Sequence, residues 1–468
     1  MPDPEGLRAR YASLAPQMVE LAQSGKRILA VTHIDADGLC SGSLVFSALK
    51  SARANITLRT VPDLDPKGVA ALASQKYDYY ILTDLASTLL DELESALAGR
   101  YLVIDHHQIK ESDSQRPSVV NAWAYGYDGG REACSSTMAY FFAASVDPSA
   151  RALASLAVVG ALADRQDSGP GRSLTGLNRA ALEHAQSAGL ISTANDLMLT
   201  GRETRPVHES VALTSTPLLK GVTGNKDAIL AALHQSGLAL KEGSVWRSVS
   251  SLSADEKKKV IEVLASMVGQ AEGATEALAG LFGEVYTLEL EDPYTPLRDA
   301  REFGTLLNSC GRMEASGVGV AVCLGDRSES LAAAMKTLSD YRAGISRALE
   351  SLTSDPSRIS TQGSLVLVRG EGAVDEKLLG PVLSILTSTP SYRDKVVVGF
   401  ATSRDSDVKV SSRVGDSYPG VVNLAKLMRD SAEAVSGVGG GHSMAAGAKI
   451  PASMADAFSK AIAERVSP

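Results

Sequence analysis

The tripeptide Asp105-His106-His107 closes the apolar run Tyr-Leu-Val-Ile at 101–104. Three metal-competent side chains in a row are costly to bury. An apolar run that ends abruptly in them reads as a buried strand delivering polar groups to the carboxyl edge of a sheet, where open α/β sheets bind ligands. Other segments end alike. The run 27–32 leads into His33-Ile-Asp35-Ala-Asp37-Gly38, and the run 79–83 leads into Asp84. Alternation points His33, Asp35 and Asp37 the same way if the strand continues. Asp164 follows an apolar helical stretch at 150–163. Each piece alone has a structural alternative: a helix N-cap, an Asp-rich turn or a C-terminal cap. Together His33, Asp35, Asp37, Asp84, His106 and Asp164 form a mixed carboxylate and imidazole set. Such a set suits Mn²⁺ or a similar divalent ion better than calcium. Two ions about 3.5–4 Å apart clamp the attacking and leaving oxygens of a phosphoryl displacement. Four of the seven histidines, His33, His106, His107 and His442, fall in the candidate motifs, which histidines scattered over a surface would not do.

A second motif lies near the C-terminus, Gly439-Gly440-Gly441-His442. Consecutive glycines let a backbone approach a ligand closely and turn its N–H groups toward an anion. A flexible linker is the structural alternative. The histidine and the Ala-Ala-Gly that follow favour a phosphate or nucleotide cradle, and Arg369, Arg404, Lys409 and Arg413 would add cations to that lobe. Such contacts position a nucleic-acid strand without reading its sequence.

The elements that must carry these residues alternate. Strands are expected at 27–32, 56–61, 79–83 and 101–105, with helices at 5–23, 39–49, 66–74, 88–98, 133–145, 150–163 and 176–188. This is β-α-β-α order, which implies a mainly parallel sheet with helices on both faces. Residues 170–221 otherwise read as an irregular connector and 225–270 as helical, with a capping box at Ser253-Ala-Asp-Glu256. A helix is expected at 297–311, a strand at 318–324 and a long helix at 328–354. The last part reads as strands at 364–369, 396–401, 408–412 and 446–450 with helices at 375–388, 421–434 and 453–464. The expected organisation is a catalytic α/β domain at 1–188, a largely helical insertion at 189–296, a helix-strand-helix link at 297–355 and a smaller α/β domain at 356–468, with a cleft between the lobes.

The 468 residues are 44% hydrophobic and only 5% aromatic, so the cores should be aliphatic. The formal charge of −8 excludes a uniformly basic nucleic-acid binder but not a local basic groove beside an acidic metal site. The four cysteines show no CxxC spacing and indicate neither a zinc site nor a disulfide framework. No run of eighteen apolar residues and no signal-like N-terminus is present, so a cytoplasmic protein without membrane contact is expected.

At this point the combination resembles the DHH phosphoesterase family, through His33-x-Asp35-x-Asp37-Gly38, Asp84, Asp105-His106-His107 and Asp164. The stretch Gly439-Gly440-Gly441-His442-x3-Ala-Gly447 looks like the family's partner domain, DHHA1. The resemblance covers roughly 25–185 and 360–468. It implies that His33, Asp35 and Asp84 bind one metal, that Asp37, Asp84, His106 and Asp164 bind the other, and that Asp84 bridges. It places Asp105 behind the ligands as an orienting group and His107 against the scissile phosphate. Attack of an activated water on phosphorus would expel the 3′- or 5′-oxygen. Within the superfamily the segment 297–312, with Asn308 and Arg312, is similar to archaeal RecJ-like nucleases. Bacterial RecJ usually has Asp at the position of His33 and carries an oligonucleotide-binding barrel after the glycine motif, which about twenty following residues leave no room for. The archaeal group includes partners of the GINS replication complex and of a repair helicase. The resemblance thus implies a single-strand DNA exonuclease, with RNA as a further substrate, acting in replication or repair. It holds the strand through Arg312, Arg369, Arg413, the three glycines and His442. Two alternatives stand beside it: an enzyme for nanoRNA or cyclic dinucleotides, and a replication scaffold without catalysis, like the eukaryotic relative in the replicative helicase.

Overall fold

The computed structural model describes residues 1–468 except 271–272, 390, 404–406, 442 and 467–468. The chain divides into two compact units, Met1–Leu338 and Ser339–Pro468. The first begins with α1 (Pro4–Gln23), β1 (Arg27–His33), α2 (Ala36–Ser51), β2 (Asn55–Val61), α3 (Pro66–Ala73), β3 (Tyr79–Thr83), α4 (Leu90–Leu97), β4 (Tyr101–Asp105) and β5 (Val119–Asn121). All four pairings in the order β2-β1-β3-β4-β5 are parallel. A parallel sheet is covered on both faces, which is why its strands are continuously apolar. Leu29, Val31, Tyr80, Leu82, Tyr101 and Val103 face α3 and α4. Their neighbours Ile28, Ala30, Ile81, Leu102 and Ile104 face α1, α2, α5 (Ser135–Val146) and α6 (Ala154–Ala163). This period of two is what the sequence pattern required.

After α7 (Gly176–Ser187) come β6 (Ile191–Leu197), α8 (Val207–Leu213), α9 (Lys226–Gln235), β7 (Lys241–Glu242), β8 (Val245–Trp246), α10 (Ala254–Val268), α11 (Ala274–Ala279) and β9 (Phe282–Leu288). The helical middle region has its own core, from Leu197 to Leu281. The Ser253–Glu256 capping box is present at the start of α10. The antiparallel ribbon of β6 and β9 was not expected, because its strands pair across nearly a hundred residues of intervening chain.

Next come α12 (Ala300–Arg312), α13 (Ser316–Cys323) and α14 (Glu329–Ser354). The strand expected at 318–324 is therefore a correction: α13 is a helix, and 297–355 is helical throughout its regular part. Alternating valines at 318, 320 and 322 imitate a strand. Packing overrides that propensity, since Ser316, Gly319, Val322 and Cys323 form one buried helical face. A Cβ on Gly319 would stand 2.8 Å from a Leu39 methyl of α2, so the small residue admits the close approach of α13.

The second unit contains β10 (Ile359–Gln362), β11 (Leu365–Arg369), α15 (Leu379–Thr387), β12 (Val396–Thr402), β13 (Asp407–Val414), α16 (Leu424–Glu433), β14 (Val438–Gly441), β15 (Ala445–Pro451) and α17 (Ala455–Val466). The mixed sheet runs β10-β11-β12-β13-β15-β14, with β11 and β12 the parallel pair. Val398, Phe400, Val410, Ala448 and Ile450 pack on α16 and α17. The triple glycine forms the edge strand β14. A Cβ on Gly439 would meet the Met428 carbonyl of α16 at 2.4 Å, whereas one on Gly440 would meet nothing within 4 Å. Gly439→Ala should thus lower unfolding stability by about 1–3 kcal/mol, and Gly440→Ala should leave it within about 0.5 kcal/mol. Denaturant titration of both variants checks the contrast.

Candidate metal centre

Strands β1 and β3 are neighbours although β2 lies between them in sequence, so the connections leave β1 in opposite directions. The carboxyl ends of β1 and β3 flank the switch point, where open α/β sheets place their ligand crevice. His33 is the last residue of β1. Asp35 is the N-cap of α2, accepting the Gly38 N–H at 2.9 Å, and Asp37 lies in the first turn of that helix. Asp84 follows β3 with φ of +59°. Aspartate is among the few non-glycine residues that visit that region without a β-branched clash. Asp105 ends β4.

The geometry converges on Asp84, whose side chain is 2% exposed. One carboxylate oxygen stands 3.6 Å from His33 Nδ1, and the other 3.3 Å from His106 Nε2. Around the first oxygen, Asp35 Oδ2 lies 3.0 Å from His33 Nδ1. Around the second, Asp37 Oδ2 lies 3.9 Å from His106 Nε2, and Asp164 Oδ2 lies 3.8 Å from His106 Nδ1. His33, Asp35 and Asp84 can present one ligand atom each within a common radius, and so can Asp37, His106 and Asp164. The structure thus brings together all six sequence-predicted ligands, in two groups that meet at one carboxylate.

Surrounding groups fix the ligands. His106 Nδ1 donates to the Gly129 carbonyl at 2.5 Å, which leaves Nε2 with the lone pair a metal needs. Asp37 accepts the Ser135 and Ser136 N–H groups at 2.8 and 2.9 Å, at the positive N-terminus of α5. Asp105, fully buried, accepts from Ser87 Oγ at 2.6 Å and from His107 Nδ1 at 2.8 Å. It therefore positions His107, whose imidazole is partly exposed. Several of these partners were not foreseen. Gln166 Nε2 donates to both Asp164 and the Gly129 carbonyl at 2.8 Å, and Asn178 donates to Gln166 Oε1 at 2.7 Å. Gln166 stands two residues after Asp164, the one available signal; Asn178 had none. Asn121 Nδ2 ties Ser87 Oγ at 3.0 Å to the His107 carbonyl at 2.9 Å.

Among the described residues no lysine or arginine pairs with Asp35, Asp37, Asp84, Asp105 or Asp164. Charge balance falls to the histidines. Burial opposes a charged His33, but Asp35 and Asp84 outweigh it and push the imidazole up to about 11. Burial likewise opposes charge on His106, and Asp84, Asp164 and Asp37 carry it well above its usual range. Asp105 pushes His107 up to about 9. Burial, with Asp84 close by, pushes Asp37 up to about 7. Burial would also raise Asp84, yet its bonds to His106 and His33 hold it well below the carboxylate range. Carboxylates buried without basic partners, and drawing protons onto their imidazoles, fit divalent cations as the resident counter-charge.

The other predicted contacts divide. Gly311, in the last turn of α12, abuts the Ile34 carbonyl so closely that a Cβ would lie 1.8 Å from it, and Asn308 Oδ1 accepts the Ala36 N–H at 3.0 Å. Arg312 is exposed one residue beyond, beside the His33–Asp37 loop. Arg413, on β13, pairs across the sheet with Ala445, and Ser411 pairs with Gly447, itself opposite Gly440. The guanidinium at the end of this row is itself engaged, donating to Ser384 Oγ at 3.0 Å and to the Ser412 carbonyl at 2.7 Å. Gly441 adopts φ of +134°, open to glycine. Arg369 is engaged as well: its guanidinium bonds Asp456 at 2.9 Å, approaches Glu371 at 3.5 Å and covers the Phe400 ring at 4.6 Å. It is committed within its own unit, on the α17 face of the sheet. His442 and Arg404 lie outside the described residues.

Residues 27–161 match the DHH family N-terminal domain, 199–278 the DHH-CID domain and 363–467 the DHHA1 domain. The chain belongs to the DHH/DHHA1 phosphoesterase superfamily. An uncharacterized protein of Methanocaldococcus jannaschii is 24% identical over 444 residues, covering 93% of this chain and 92% of its own. RecJ of Thermus thermophilus, solved with Mn²⁺, superposes at a TM-score of 0.57 with 17% identity over 97% of this chain. The present DHH protein spans 54% of that RecJ's length. CDC45 of Entamoeba histolytica superposes at 0.69 with 10% identity, covering 98% of both chains. These likenesses establish the shared DHH fold. Among the described residues no helix is long and apolar enough to cross a membrane.

Metal binding requires neutral imidazoles and ionised carboxylates. With His33 near 11 and Asp37 near 7 before a cation binds, Mn²⁺ binding at pH 7 should release protons, and affinity should rise with pH between 6 and 8. Calorimetry in two buffers of different ionisation heat measures this; a Kd independent of pH across that range would contradict it.

Proposed function

We propose that the protein is a two-metal phosphodiesterase that removes nucleotides from an end of single-stranded DNA, with RNA as a further substrate, in replication or repair. The observation that carries the reading is Asp84, one buried carboxylate whose two oxygens serve two separate ligand groups. His33, Asp35 and Asp84 would hold one divalent ion, Mn²⁺ or Mg²⁺, and Asp37, Asp84, His106 and Asp164 the other. When bound, such ions supply Lewis-acid charge to phosphoryl oxygens and lower the pKa of water. The remaining work belongs to the chain itself. His107, kept cationic by Asp105, donates to a non-bridging phosphate oxygen as negative charge builds there. Arg131, Arg165 and Arg312 are exposed beside three of the site segments and pair with no carboxylate among the described residues, which suits them to flanking phosphates.

The segment 297–312 supports the archaeal RecJ-like group as the finer assignment, with the GINS complex or a repair helicase as candidate partners. One alternative is a replication scaffold without catalysis. The complete ligand set speaks against it, and detectable hydrolysis excludes it.

A single-stranded DNA labelled separately at each end, incubated with Mn²⁺, should release a mononucleotide early from one end only. Asp84→Ala should abolish release, on the order of a thousandfold or more, with little change in circular dichroism. Retained cleavage in that variant would sink the site assignment. Cleavage confined to di- and trinucleotides would replace the exonuclease with a short-substrate enzyme.

A further inference from the structure

Trp123 is 39% exposed, one of only two tryptophans in the chain, and no role assigned so far involves it. It sits in the short helical turn after β5, next to the metal centre. Its indole Nε1 donates to the backbone carbonyl of His106 at 2.9 Å, and its backbone N–H is held by Asn121 Oδ1 at 2.9 Å. Asn121 in turn holds the His107 carbonyl at 2.9 Å. The indole is therefore tied to the His106 backbone, and the Trp123 backbone is linked through Asn121 to that of His107.

The fit is close. A Cβ on Gly129 would stand 1.9 Å from the His106 carbonyl and 2.7 Å from Trp123 Nε1, so a glycine is required where the indole meets the loop. Gly130 and Arg131, both exposed, follow directly. An exposed indole whose only polar atom is already satisfied by the protein offers a solvent-facing ligand nothing but its π surface. Beside a phosphate-cleaving centre, the group that such a surface takes is a nucleobase, because every base has a π face and stacks without regard to sequence.

We propose that the Trp123 indole is the stacking platform for a nucleobase adjoining the scissile phosphate. The proposal rests on the phosphodiesterase reading for the position of that phosphate. It makes a base, and not only a phosphate chain, part of what the site recognises. Trp123 would set the register of the strand end against the metals with no preference among the four bases.

The two-tryptophan composition provides the test. In Trp246→Phe protein, Trp123 is the sole indole and its emission reports the platform directly. With Ca²⁺ in place of Mn²⁺, a short oligothymidylate should quench that emission saturably. A chain of equal length built from abasic phosphodiesters should not, and Trp123→Phe protein should show little change. Trp123→Ala should weaken oligothymidylate binding about 5- to 150-fold while leaving abasic binding within about twofold, and Trp123→Phe should keep most of the affinity. Equal quenching by both chains, or unchanged affinity in Trp123→Ala, would reduce the residue to a packing role on His106. Wild-type cleavage in Mn²⁺ separates the two readings. Cleavage without base-dependent quenching overturns the platform alone. Quenching without cleavage of any phosphodiester overturns the phosphodiesterase and keeps the platform. Neither signal overturns both.

Discussion

Everything in the first unit answers to the burial of negative charge at the ends of three adjacent parallel strands. Asp37, Asp84 and Asp105 are nearly inaccessible, and their counter-charges are imidazoles. A buried ionised carboxylate is tolerated only when it is bonded and balanced. The fold meets this by directing an N-terminal helix end at Asp37, backbone and hydroxyl donors at Asp105, and two histidines at Asp84. Polar atoms that look incidental, such as Gln166 and Asn178, belong to the same requirement. Gln166 donates to Asp164, Asn178 holds Gln166 in turn, and both are buried and satisfied.

The candidate site was legible in the sequence because most of its residues follow the ends of apolar strands, Asp164 after a helix being the exception, and a strand that stops in a cluster of acids and histidines leaves few structural explanations. The fold of the first unit was legible for the same reason, since strands covered on both faces are unbroken apolar runs. Where local pattern and long-range packing disagree, the reading failed. Residues 318–324 alternate like a strand, but their small residues serve a helix pressed on Leu39. The β6 and β9 strands pair across the whole middle domain, and neither strand alone announces its partner. Arg369 looked like a strand-end cation for phosphate, yet Asp456 and Glu371, distant or unremarkable in sequence, had already engaged it. The glycines were read as a cradle. In the structure they divide: Gly439 serves the close approach of α16, and Gly440 alone faces open space.

The two units use the same element types to different ends. In the first, side chains at strand ends gather charge and the backbone is hidden. In the second, one sheet face is stripped of side chains around Gly440 and Gly447, so that backbone itself becomes the accessible surface.

The contact between α12 and the first metal loop has a consequence for biosynthesis. The Ala36 N–H is held by Asn308, and Gly311 is moulded against Ile34, so the loop bearing Asp35 is finished by chain made 272 residues later. At translation rates of about 5–20 residues per second, that interval is on the order of tens of seconds. During it the nascent sheet can form, since its strands are contiguous, but the acidic loop lacks its final brace. The loop bearing Asp35 thus gains its brace only after the middle domain has been made.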